Sequence, residues 1–144
     1  MICSVSQFDA DDIFILGNIA AVAVHRGYGA RALPLLKLVQ EARPTNAGAF
    51  MLEAMHLYAI GERTRAITFL EHAKIQEKAI NRDEALVFYL FLLQQDGQFD
   101  RAITLGRSCL ESQSLNSERA RQEVRIVVAQ CETALEKKRN VSSS

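Results

Sequence analysis

Three stretches decide the fold: GYGARALPLL at residues 27–36, GERTRAITFL at 61–70 and GQFDRAITLG at 97–106. Each starts on a glycine and places an alanine five residues later (Ala32, Ala66, Ala102). Four residues further on stands an apolar or small residue (Leu36, Leu70, Gly106), and the glycines are 34 and 36 residues apart. Flanking positions keep the register. Ala20, Ala54 and Leu90 lie seven residues before the glycines, Ala23, Leu57 and Leu93 four before, and Val39, Ala73 and Cys109 twelve after. One recurring pair is chance, but six columns matched across three units mark an internal repeat.

Each unit reads as a helix, a glycine-marked turn and a second, antiparallel helix. Glycine takes positive φ without a Cβ penalty and so closes the first helix. Small residues in mid-helix let two backbones approach closely. The pattern predicts helices over about 11–26 and 29–41, 45–60 and 63–79, then 83–96 and 99–112. Asp11, Asn46 and Asp83 are the expected N-caps, and Pro44 ends the first unit. The two extra residues between the second and third units fall in KIQEKAINRDE, residues 74–84.

A last helix, about 117–138 after Asn116, carries Ala120, Val124, Val127, Val128, Cys131 and Leu135 on one stripe. Its other faces are charged, the pattern of a terminal capping helix. The tail at 140–144 reads as disordered. The expected fold class is therefore all-α: one domain over residues 1–144, with repeats at about 11–44, 45–80 and 83–114 and a C-terminal capping helix.

Composition agrees. The 144 residues are 49% apolar and 24% charged, and 7 Gly and 2 Pro are too few for a turn-rich β fold. Basic and acidic residues balance at 17 each. Residues 1–60, 61–110 and 111–144 sum to −1, 0 and +1, so no basic face exists for nucleic acid or for an anionic membrane surface. The apolar runs Ile13–Val24 and Ala85–Leu93 fall short of the ~20 residues that span a bilayer. MICSVSQFDADD lacks the basic and apolar regions of a secretory signal. Cys3, Cys109 and Cys131 are an odd, widely spaced set without CxxC, which fits reduced thiols in the cytoplasm.

Residues that carry chemistry are scattered. His25, His56 and His72 have no HExxH spacing and no cysteine partner, so no metal site is expected. Asp9, Asp11 and Asp12 read as a helix start before they read as a cation site. Cys109 and Cys131 lie on apolar stripes, where a thiol is packed and inert. There is no GxSxG, and the glycines around Tyr28 follow no strand and so form no phosphate loop. Arg63, Arg65, Arg101 and Arg107 mix with Glu62, Glu71 and Asp100 as a solvated face. The expectation is no enzyme, no catalytic residue and no cofactor.

The period, the small-residue columns and Pro44 together resemble the tetratricopeptide repeat over residues 11–114. Tryptophan is absent, and Gly106 stands where the family usually has a large residue. The resemblance implies a short right-handed solenoid whose first helices line a concave groove. Mapped residue by residue, that groove holds Phe14, Gly17, Ala21 and Val24 from the first unit. Met51, Met55 and Tyr58 follow from the second, and Val87, Phe91 and Gln94 from the third. Gly17 and Ala21 replace the polar residues with which related domains clamp a C-terminal carboxylate. An apolar groove with adaptable methionines suits an amphipathic helix. The same stripe is also what a closed bundle would bury, with Phe14, Met55 and Phe91 inside; the repeat register assigns them to the groove.

ALPLLKLVQEARPTNA (32–47) and RTRAITFLEHA (63–73) are further similar to the small chaperones of bacterial type III secretion, in the needle-subunit class. That likeness implies a cytoplasmic bacterial chaperone that keeps a secreted needle or other helical subunit soluble, with a small helical co-chaperone. No nucleic acid and no membrane span enter this reading. The alternative is an adaptor or scaffold in a larger assembly, acting as a homodimer or docking platform; such a module would run as a stable dimer alone.

Overall fold

A computed structural model describes residues 8–142. Seven α-helices make up the described chain, and no strand is found among the described residues. They are α1 (Ala10–His25), α2 (Gly29–Ala42), α3 (Gly48–Ala59), α4 (Arg63–Ala73), α5 (Arg82–Gln95), α6 (Phe99–Glu111) and α7 (Glu118–Ser142). Internal packing divides the chain into two compact units, residues 1–85 and 86–144, with the division inside α5.

The repeat columns become hydrogen bonds. Gly27, Gly61 and Gly97 have φ of 85°, 84° and 75°, a region open to glycine and costly for other residues. At each, the glycine N–H donates to the carbonyl three residues back: Val24, Tyr58 or Gln94, at 3.1, 3.0 and 3.1 Å. The next N–H reaches the carbonyl of Ala23, Leu57 or Leu93 at 2.7, 2.8 and 2.9 Å. This pair of bonds is the Schellman closure of a helix C-terminus. The following helix then opens on Ala32, Ala66 and Ala102, whose N–H groups donate to Tyr28, Glu62 and Gln98. All three alanines are buried, as are Ala20, Ala54 and Leu90.

In the first unit α1 packs on α2 and α3, α2 on α3, and α3 on α4. Ile13, Ala20, Val24, Ala32, Leu36, Leu38, Val39 and Ala49 form its core, with Leu16, Leu52 and Met55 partly buried against them. Between α2 and α3 lies a polar network. Buried Glu53 accepts from Gln40 Nε2 at 2.9 Å and pairs with Lys37 Nζ at 2.8 Å, while Gln40 also donates to the Ala49 carbonyl. A buried carboxylate is tolerated when its oxygens are bonded in this way. Gly29 is required by close approach, because a Cβ there would fall 2.3 Å from Nδ1 of His56, itself buried.

Several helix boundaries differ from expectation, each with a physical reason. The cap of α1 is Asp9 in place of Asp11: Asp12 N–H donates to Asp9 Oδ1 at 2.8 Å, and Asp9 N–H to Asp12 Oδ2 at 3.2 Å. This reciprocal box fills two otherwise orphaned donors. Helix α3 starts at Gly48, and its leading donors are filled from outside the helix: the Ala47 N–H by the Ile80 carbonyl and the Gly48 N–H by Asn46 Oδ1, both at 2.8 Å. Helix α4 stops at Ala73, where Lys74 turns left-handed (φ 54°) into one 3-10 turn, Ile75–Glu77. Buried Ile75 anchors that turn, and the chain then runs beside residues 44–47. Asp83 lies in the first turn of α5, and Asn81 (φ 57°) stands before it and accepts from Ala85 N–H. Helix α7 continues through 140–142, where the tail was expected to be disordered.

In the second unit α6 packs against α7, and Gly106 is the seat of that contact. A Cβ on Gly106 would fall 2.4 Å from Val128 Cγ2 and 3.3 Å from Val124 Cγ1. The departure at this column therefore serves α7: Val124 and Val128 occupy the space that a larger side chain at 106 would need. Arg107 pairs with Glu132 at 3.0 Å across the same two helices. At the start of α7, hydrogen bonds and charge from Arg121 and Arg125 hold the Glu118 carboxyl below its ordinary range. Cys109 and Cys131 are buried thiols, and burial raises the Cys131 thiol above its ordinary value.

Two predictions follow from these contacts. Gly61→Ala should lower stability by about 1 kcal/mol, and Gly106→Ala by roughly 1–3 kcal/mol through overpacking on Val128. Denaturant midpoints with unchanged m-values would report both. The second concerns Cys131. As pH rises past the ordinary thiol value of 9.0, the unfolded chain loses its proton while the folded one keeps it. The folded state then binds more protons, so stability falls with pH. Unfolding curves above that pH should show a decline in the native chain that is smaller in Cys131→Ala.

Candidate functional site

The side chains of α1 and α3 leave a cavity of about 630 Å³ in the first unit. Its floor is Ile13, Leu36 and Val39, all buried. Phe14, Gly17 and Ala21 enter from α1, spaced so that they share one helix face. Gly48, Ala49, Met51 and Leu52 enter from α3. Small residues create the space: a Cβ on Gly17 would meet only Val39 Cγ1, at 3.9 Å. Phe14 stands at the edge with 71% of its surface exposed, a large aromatic side chain left in water.

The rim is polar and mixed in sign, with Asp11, Asn18, His25, Arg43, Asn46, Asn81 and Glu84. One stretch of it is built by the two linkers of the repeat. Asn46 Oδ1 accepts from Gly48 N–H at 2.8 Å and from Asn81 Nδ2 at 2.8 Å. Backbone bonds from Ala79 and Ile80 N–H to the Thr45 carbonyl, and a side-chain bond from Lys78 Nζ to the Pro44 carbonyl, hold the same two segments together.

Of the expected groove residues, the cavity brings together Phe14, Gly17, Ala21 and Met51. Val24 is 8% exposed and lies in the core, because it shares the inward face of α1 with Ile13 and Ala20. Met55 is half-buried against that core, and Tyr58 is half-buried outside the cavity. Val87, Phe91 and Gln94 lie on α5 in the second unit and are half-buried. There Phe91 lies 5.9 Å from the Phe88 ring, and Gln94 Nε2 donates to Gln130 Oε1 of α7 at 2.8 Å.

The rim asparagines were not among the expected site residues. Their signal was available in the sequence: Asn46 and Asn81 are 35 residues apart, close to the repeat period, at equivalent junctions between units. No group of three or more His, Cys, Asp or Glu side chains placed to hold a metal ion occurs among the described residues. The arrangement has the chemistry of a binding surface, apolar within and hydrogen-bonding at its edge.

Asn46→Ala removes an acceptor that serves two donors and should cost about 1–3 kcal/mol. Faster amide exchange at Gly48 and at 79–81, with α7 unchanged, would locate the loss at this rim. No protein-family model, no curated protein and no solved structure matches the chain.

Proposed function

We propose that the chain is a tetratricopeptide-type chaperone that holds the apolar face of an amphipathic helix in the cavity between α1 and α3. The observation that carries this reading is the exposed Phe14 beside a cavity floored by Ile13, Leu36 and Val39. An aromatic anchor next to a preformed apolar hollow is the usual centre of a protein-binding hot spot. Met51 supplies a side chain that adapts to irregular partners. The bonded rim of Asn46 and Asn81 would meet the polar edge of the bound helix.

The cargo class follows from the resemblance at residues 32–47 and 63–73. It is a small self-assembling subunit of bacterial type III secretion, a needle or other helical protein, bound in the cytoplasm with a small helical co-chaperone. Covering the greasy side of such a subunit would keep it from assembling before export.

Native mass spectrometry of the tagged chain from its own host, beside Phe14→Ala, tests this. The expected result is a complex with helical proteins below ~10 kDa, weakened about 30-fold by Phe14→Ala, the equivalent of ~2 kcal/mol. Because Phe14 is mostly exposed, thermal stability should stay within ~2 °C. Recovery of the chain without a small partner, or capture unchanged by Phe14→Ala, would contradict the proposal.

A further inference from the structure

Helix α1 carries a second apolar surface, turned away from its core. Ile15, Ile19 and Val22 are 54%, 50% and 54% exposed. Their spacing of i, i+4 and i+7 puts them on one stripe, opposite the face that buries Ile13, Ala20 and Val24. Asp11 and Arg26, both exposed, stand at the two ends of this stripe.

The order of residues along the stripe is self-complementary. Reversing α1 about a point midway between Asn18 and Ile19 puts Asp11 against Arg26, Ile15 against Val22, and Asn18 against Ile19. An acid thus meets a base at both ends, and branched apolar residues meet in between. The antiparallel arrangement also opposes the two helix macrodipoles favourably. A surface that matches itself under a two-fold rotation is an isologous interface.

We infer that the outer stripe of α1 is the contact surface of a homodimer, two copies pairing antiparallel about Asn18–Ile19. A helix of 16 residues is ~24 Å long, and one such pair buries less than the ~1,200 Å² of a standard interface, so the dimer is weak and transient. Its dissociation constant is on the order of tens of micromolar. The interface shares Asp11 and Asn18 with the rim of the cavity, whereas Ile15, Ile19, Val22 and Arg26 lie outside it, so Ile19→Glu tests pairing separately from helix binding.

Sedimentation equilibrium of the full chain from ~5 to ~500 μM tests the inference directly. The mass should rise from monomer towards dimer. Ile19→Glu puts a carboxylate of each copy beside the axis and should raise the dissociation constant at least ~10-fold with the helical circular dichroism unchanged. Asp11→Arg should weaken pairing ~3–10-fold, and adding Arg26→Asp should restore it, because the exchanged charges face each other again across the two-fold. A mass that stays monomeric throughout would mean that the stripe serves another protein or is covered by this chain itself, and would overturn the inference. So would Ile19→Glu pairing like the native chain, or a charge-exchanged variant as weak as Asp11→Arg alone.

Discussion

The structure depends on one backbone device used three times, a helix closed by a glycine at positive φ. At Gly27, Gly61 and Gly97 two consecutive N–H groups turn back onto the last carbonyls of the preceding helix. This satisfies acceptors that a helix end otherwise leaves to water. It also sets the direction in which the chain leaves. Five residues later the buried alanine donates the first bond of the next helix, and its small side chain allows the two helices to meet closely. A side chain at the glycine would strain the turn, and a large one at the alanine would hold the helices apart.

Within the first unit, the closures bring α1 beside α2 and α3 beside α4, and the polar network of Lys37, Gln40 and Glu53 fixes α2 against α3. The linkers at 44–47 and 78–81 are then bonded to each other. With α1 resting on both α2 and α3, the small residues Gly17, Ala21, Gly48 and Ala49 leave a hollow where larger ones would have filled it. The two apolar surfaces of α1 have different characters. The side with Phe14 borders a concavity, whereas the stripe of Ile15, Ile19 and Val22 projects outward.

The helices were legible in the sequence because their ends are chemical. Glycine at positive φ has few substitutes, and the columns at Ala32, Ala66 and Ala102 are positions where size is constrained. Two of the misplaced boundaries, the start of α3 and the end of α4, lie where a distant segment bonds to the backbone. The Ile80 carbonyl takes the Ala47 N–H, and the linker pairing ends α4 early at Lys74. Such a bond joins residues over 30 positions apart, and no local preference encodes it. Part of the site was legible for the same reason as the helices: the repeat register put Phe14, Gly17, Ala21 and Met51 on facing surfaces. Val24 lies in the core, since a register says which helix lines a groove, while a rotation of about 100° per residue decides which side chain points into it. Gly106 looked like a broken column, and its meaning emerges only from Val124 and Val128 of α7.

The central claim is that a helix from another protein lies in the cavity of the first unit. Site-specific photo-crosslinking tests it most directly, with a photoreactive phenylalanine analogue at position 14 or 51 and a control at exposed Gln122 of α7. Positions 14 and 51 should each join one and the same small helical protein in the native host, and position 122 should not. Silence at 14 and 51, or equal labelling at all three positions, would contradict the account.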